Sequence, residues 1–184
     1  SSFATEVGVP IEQPVPFQHN LHVGELGISC LYCHHSVQES AVANIPETHV
    51  CMSCHSQIAT ASPALEPVRQ SYADNIPIQW NKVHNLADFV YFNHSIHVNK
   101  GVACINCHGR TAEMDVVYKA RNMSMTWCLD CHRQPEQYLR PREEVLNQDY
   151  VPPPPEEQLA LGRALIDEYH INVNKLTNCS TCHR

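Results

Sequence analysis

The chain has 184 residues, 43% of them hydrophobic, enough for one ordinary domain or two small ones with a modest core. A formal charge of −7 argues against nucleic acid and against an anionic lipid surface as partners. The longest apolar runs, such as FVYF at 89–92, are only a few residues, too short to span a bilayer.

Residues 1–16 carry three prolines and little periodicity, which predicts an extended arm along the surface or on a neighbour. The opening SSFATEVGVP reads as the start of an already processed chain with no residual signal peptide. From residue 17, FQHNLHVGELGISCLYCHH sets His19 and His22 three apart ahead of Cys30, Cys33 and His34, and a second Cys-x-x-Cys-His follows at Cys51, Cys54 and His55. The stretch after it, interrupted by Pro63, Pro67 and Pro77, offers a short helix at best. At 92–108 the first pattern returns as FNHSIHVNKGVACINCH, with His94 and His97 ahead of Cys104, Cys107 and His108, and a fourth unit follows at Cys128, Cys131 and His132. VPPPPEEQ predicts a stiff polyproline II spacer. Pro155 then suits a first helical position and Glu156 and Glu157 the positive end of the dipole, so a helix is predicted over 156–169, with Leu161, Ala164, Leu165 and Glu168 at helical spacing. It leads to a fifth unit, Cys179, Cys182 and His183.

All ten cysteines fall in these five units, and each has a histidine after its second cysteine. Two thiols three residues apart can add to the two vinyl groups of one haem, and the next residue presents an imidazole to the iron. Zinc would need four ligands from a pair of units and has no use for a histidine after every second cysteine. Each unit therefore reads as a covalent c-type haem site with its first axial ligand. Five such groups are too many for this polypeptide to enclose separately, so the haems must form much of the core. Attachment of c-type haem takes place outside the cytoplasm, which predicts a periplasmic location.

Cys30, Cys104 and Cys179 lie 74 and 75 residues apart, so the chain reads as a repeat. The predicted organisation is an arm (1–16), a double-haem module (17–63), a connector (64–91), a second double-haem module (92–140), a proline-rich spacer (141–155) and a helix with the fifth haem segment (156–184). The predicted fold is haem-packed and mostly irregular, with short α-helices and little β.

Each iron has a second axial position, and what fills it separates a carrier from an enzyme. Candidate donors are His19, His22, His94 and His97, because the whole pattern is duplicated, and His84 in an apolar-flanked segment. His35, Met114 and Met125 are further candidates; a thioether on one iron would raise its potential. His49 and His170 are also on hand. The fifth unit has Tyr169 and Asn172 where the leading histidines would align. That truncation predicts that His22 or His97 reaches the fifth iron and clamps the C-terminal helix onto the body.

The run FQHNLHVGELGISCLYCHH resembles the start of class III multihaem cytochromes c. IPETHVCMSCH, VHNLADFVYFNHSIHVNKGVACINCHG and MTWCLDCHRQPE are similar to the pentahaem cytochrome c component of bacterial alternative complex III. The resemblance covers about residues 17–142 and the terminal haem motif. It implies an electron-transfer subunit with no catalytic site of its own, on the periplasmic face of a membrane quinol oxidoreductase, held there by partner subunits or an anchor not seen in this sequence. Its implied partners are an iron–sulfur subunit, integral membrane subunits, and a monohaem cytochrome c or another soluble acceptor or terminal oxidase. Two rival readings are a free periplasmic multihaem shuttle and an oxyanion reductase. The proline-rich arm and spacer lean against the first, and the histidine kept in all five motifs against the second.

Overall fold

In a computed structural model of the chain, residues 5–183 are described, so the start of the predicted arm and Arg184 lie outside the described residues. The helices are α1 (Cys30–Cys33), α2 (Thr48–His55), α3 (Glu66–Asp74), α4 (His94–Asn99), α5 (Cys104–His108), α6 (Met125–Arg133), α7 (Pro155–Glu168) and α8 (Cys179–Cys182). Five of these, α1, α2, α5, α6 and α8, carry the cysteine pairs of the Cys-x-x-Cys-His units, with His34 and His183 just past the ends of α1 and α8. Several begin at a residue whose side chain caps them: Ser29, Asn93 and Ser124 accept from the N–H groups of Leu31, Ile96 and Trp127. Among the described residues strand pairing is confined to isolated bridges. The expected mix of short helices with little β is what the chain adopts.

The two copies of the repeat differ by one residue between their leading phenylalanine and first cysteine, 13 against 12 positions. The structure absorbs the extra residue in a π-helical turn, Asn20–Glu25, where the second copy has the regular helix α4. Gly24 sits in that turn against Ala112, and a Cβ there would lie 2.4 Å from the Ala112 carbonyl oxygen.

The arm lies on the chain's own surface. Val7 and Pro10 bridge to Lys119 and Tyr118, and Gln13 exchanges hydrogen bonds with the Asn81 backbone. In the connector, α3 forms in spite of Pro67 because proline is tolerated in a first turn, and it ends at Asn75 in the left-handed region (φ 55°). Its buried Val68 and Ser71 face α2, where the Ser71 hydroxyl meets Thr48 Oγ1 at 2.6 Å.

Helix α7 starts at Pro155, one residue before the predicted start. Its buried face is Gln158, Gly162 and Leu165, continued by Tyr169; of the residues at helical spacing in the sequence, Leu165 is buried, Leu161 packs beside it, and Ala164 and Glu168 are exposed. Gly162 lets the helix backbone lie directly on Glu136: a Cβ there would fall 2.0 Å from the Glu136 oxygen. Gln158 Nε2 donates to the Glu136 and Leu139 carbonyls at 3.0 and 2.9 Å. Arg142 lies over the Tyr169 ring at 4.1 Å and its N–H donates to the phenol oxygen, while Lys100 Nζ donates to the Tyr169 carbonyl. These protein contacts hold the C-terminal segment on the second module.

Little else is packed. Two small clusters form the protein's own core: Val37, Val98 and Val145 in one, Leu139, Leu165 and Tyr169 in the other. Among the described residues no large side chain is completely buried, while Leu26, Ile58 and Phe89 are each 63% exposed. A chain of this size that folded around its own side chains would not leave so much apolar surface open.

Candidate metal-ligand sites

The leading phenylalanine of each copy orients both histidines that follow it. Phe17 stacks on His22 (4.4 Å, 26°) and meets His19 edge-on (4.8 Å, 87°); Phe92 does the same to His97 (4.5 Å, 27°) and His94 (4.7 Å, 89°). The two imidazoles of a copy therefore point in different directions, as two residues three apart on a helical turn should. Sequence reasoning had passed over these phenylalanines. Their signal was present: the chain has four, and two stand at matching places in the repeat.

Main-chain carbonyls then fix the tautomers. Nδ1 of His22 donates to Gln18 (2.8 Å) and Nδ1 of His97 to Asn93 (2.7 Å), the same four-residue step in both copies. His34, His55, His132 and His183 donate in the same way to Asn44, Ile58, Leu176 and Phe89, at 2.7 to 3.2 Å. At His94 the Ala41 carbonyl (3.0 Å) outcompetes the Ala43 N–H (3.4 Å) for the same nitrogen. An Nδ1–H held by a carbonyl leaves Nε2 as an unprotonated lone pair, the state a metal ligand needs.

Three imidazole pairs face each other across a gap: His22 and His55 at 6.2 Å between ring centres, His94 and His108 at 6.3 Å, His97 and His132 at 6.1 Å. Metal–nitrogen bonds of about 2 Å on each side, plus about 1 Å from each nitrogen to its ring centre, place two axial imidazoles of one iron roughly 6 Å apart. The observed gaps fit one metal ion each. In all three the pair joins a leading histidine to the histidine of a Cys-x-x-Cys-His unit in its own module.

Burial favours the neutral form of four imidazoles, His19, His84, His97 and His108. It holds His108 down at about 3 and His19 at about 4, with neighbouring imidazoles adding to the effect, and it also lowers His84 and His97. His19 Nδ1 and His84 Nε2 are buried with no hydrogen-bond partner among the described residues. By the repeat, His19 corresponds to His94 and stands beside His34, which is among the groups that lower it. His84 packs edge-on against His108 at 4.3 Å.

The other candidates are placed differently. His35 is exposed and meets Asn44; His49 is paired with Glu47 at 3.1 Å on the surface. His170 is exposed at the end of α7 with φ 52°, and Met125 is 64% exposed. Met114 is buried under Gly109, next to the third unit. The expectation that His22 or His97 reaches the fifth iron is corrected. Both rings already face the second unit of their own module, and the clamp it was meant to supply comes from Gly162, Gln158 and Tyr169.

The cysteines fit the same chemistry. All ten are free rather than bridged. Burial pushes the Cys104 thiol up to about 11 and that of Cys107 to about 12. Such sulfurs are poor thiolate ligands but lose nothing as neutral thioethers. Among the described residues no three or more His, Cys, Asp or Glu side chains converge as a metal cage. The donors come instead in opposed pairs beside a cysteine pair, with open apolar surface around them, an arrangement that fits a haem in each gap.

If His22 is an axial ligand, His22→Ala leaves His55 alone on its iron. Electron paramagnetic resonance of the oxidised protein is expected to show one more high-spin haem in that variant than in the wild type. The signal lost should be the low-spin one of crossed imidazole planes, since His22 and His55 are inclined at 65° while the other two pairs lie at 10° and 21°. An unchanged spectrum would remove His22 from the ligand set.

Residues 90–184 match the family described as cytochrome c7 and related cytochrome c. The chain is also 27% identical over 142 residues to a protein of Nitratidesulfovibrio vulgaris strain Hildenborough, the multihaem cytochrome c subunit of a menaquinone reductase. That match covers 66% of this chain and 68% of the relative.

Proposed function

We propose, since the chain belongs to the family of cytochrome c7 and related cytochromes c, that all five Cys-x-x-Cys-His units hold haem and that the protein is an electron-transfer subunit of a membrane quinone oxidoreductase. Multihaem electron transfer and covalent c-type haem follow from the family itself. The number five rests on the five intact motifs. Cys30 with Cys33, Cys51 with Cys54, Cys104 with Cys107, Cys128 with Cys131, and Cys179 with Cys182 would form the thioethers. His34, His55, His108, His132 and His183 would be the first ligands. His19, His22, His94 and His97 would oppose the first four of them, and His84 is a further buried donor beside the third unit. When bound, each haem supplies a one-electron ferric/ferrous couple. The chain's task is to hold it: main-chain carbonyls fix seven of the imidazoles, His22, His34, His55, His94, His97, His132 and His183, the phenylalanines set the ring planes of the leading histidines, and α7 locks the last segment in place.

The observation that carries this reading is the set of three imidazole pairs at 6.1 to 6.3 Å. A pair that closes both faces of an iron leaves no position for a substrate, which favours a conductor over an oxyanion reductase. The relative's place in a menaquinone reductase supports a quinone-linked complex, and so does the resemblance to alternative complex III. The two differ in direction. We take the periplasmic face of the membrane as its location. Its neighbours there are integral membrane subunits and an iron–sulfur subunit, with a monohaem cytochrome c or a terminal oxidase as a further partner when electrons leave the quinol. The relative's name favours a second reading, in which electrons run from a periplasmic carrier towards menaquinone. Among the described residues no helix is long and apolar enough to cross a membrane.

Purification from native membranes in mild detergent is expected to bring down integral membrane subunits together with an iron–sulfur protein, and the purified complex to turn over a quinone or quinol. A haem protein recovered alone from the soluble fraction would contradict the reading and restore the free shuttle.

A further inference from the structure

The units stand in space in an order different from their order in the sequence. First and second are joined side by side: Tyr32, inside the first, and Ser53, inside the second, share a hydrogen bond of 2.8 Å between their hydroxyls. His19 and His22, three residues apart, lie at these same two units, His22 facing His55 at 6.2 Å. First and third are joined next. The N–H groups of His94 and Ser95 donate to the Ala41 and Ser40 carbonyls just beyond the first unit, at 3.1 and 3.2 Å. Leu31 of the first unit packs on the Val37, Val98 and Val145 cluster, and Cys104 N of the third donates to Val145 at 3.4 Å.

Third and fourth share α4, whose His94 and His97 face His108 and His132. Fourth and fifth are joined by the bond from His132 Nδ1 to the Leu176 carbonyl, 3.0 Å, three residues before Cys179. Exposure agrees with the series these contacts describe. The two exposed cysteines are Cys54, in the second unit, and Cys179, in the fifth, whereas the other eight are at least partly covered.

We propose that the five haem-binding units form one unbranched row in the order second, first, third, fourth, fifth, with the second and fifth units as its solvent-facing ends. The two modules of the repeat are then joined head to head through the first and third units, and the C-terminal segment lengthens the row at one end only. One-electron partner proteins have their approach at the two ends, not at the middle. This rests on the reading that all five units carry haem.

The test is the position of each iron in the full-length haem-loaded protein, from anomalous scattering at the iron edge or from cryo-electron microscopy. The irons of the second and fifth units are expected to have one close neighbour each, the first and the fourth respectively. A second-unit iron between two others, or a fifth-unit iron nearer to the first or third than to the fourth, would overturn the row. The number of irons reports separately on the five-haem reading, because a missing iron shortens the row without reordering it. With a soluble gadolinium chelate as probe, haem-methyl proton signals of the second and fifth haems should broaden most. Strongest broadening at the third would overturn the assignment of the ends.

Discussion

Produced without haem attachment, the chain is expected to remain unfolded, with little helical circular dichroism and no dispersed proton spectrum. The reason is the size of its own core. Two clusters of three buried residues each stand against the ordering of the whole chain. Burying a Val, Leu or Tyr side chain stabilises by about 1.5–3 kcal/mol, while ordering the backbone costs about 1–2 kcal/mol for every residue. No disulfide offsets the difference, and only isolated bridges tie distant segments as strands do. The remaining stabilisation has to come from the porphyrin faces against the apolar side chains now open, Leu26, Ile58 and Phe89 among them. A dispersed, native-like spectrum of haem-free protein would show that the polypeptide folds around itself, and would remove the haem-packed account of the fold.

Gly162→Ala is expected to release the C-terminal segment from the body. An added Cβ would meet the Glu136 carbonyl oxygen at 2.0 Å and its carbon at 2.6 Å, and these are backbone atoms that cannot swing aside. Overpacking commonly costs about 1–3 kcal/mol, and a block against backbone belongs at the upper end. Lifting α7 also breaks the Gln158 bonds to Glu136 and Leu139 and the Tyr169 contacts with Arg142 and Lys100. Limited proteolysis should then cut within residues 145–155, leaving a fragment with the first four units intact. Wild-type resistance in the variant would mean that α7 is held some other way.

How much of this was legible in the sequence depended on what sets each feature. The c-type haem chemistry could be read directly from the motifs, because thioether formation and iron ligation dictate residue identity and spacing. The short-helix fold followed from the count of those motifs, since porphyrin leaves no room for a sheet. The start of α7 was found to within one residue from Pro155 and its two glutamates, a local signal. Its buried face was not legible in the same way. Leu161 and Ala164 look apolar, but the face is chosen by a glycine that admits Glu136, a contact 26 positions away in the chain. The clamp failed for the same reason. Loss of the third pair of histidines suggested that an earlier histidine must reach across, whereas the structure uses backbone approach and a tyrosine. The phenylalanine wedges were visible as repeats, yet their role needed the ring geometry.

The central claim is that every cysteine pair carries a haem, and the haem-to-protein ratio tests it most directly. A pyridine haemochrome assay on purified holoprotein of known concentration should give five haems c per chain, all resistant to acid acetone extraction. A ratio of three or fewer, or zinc in place of haem, would contradict it.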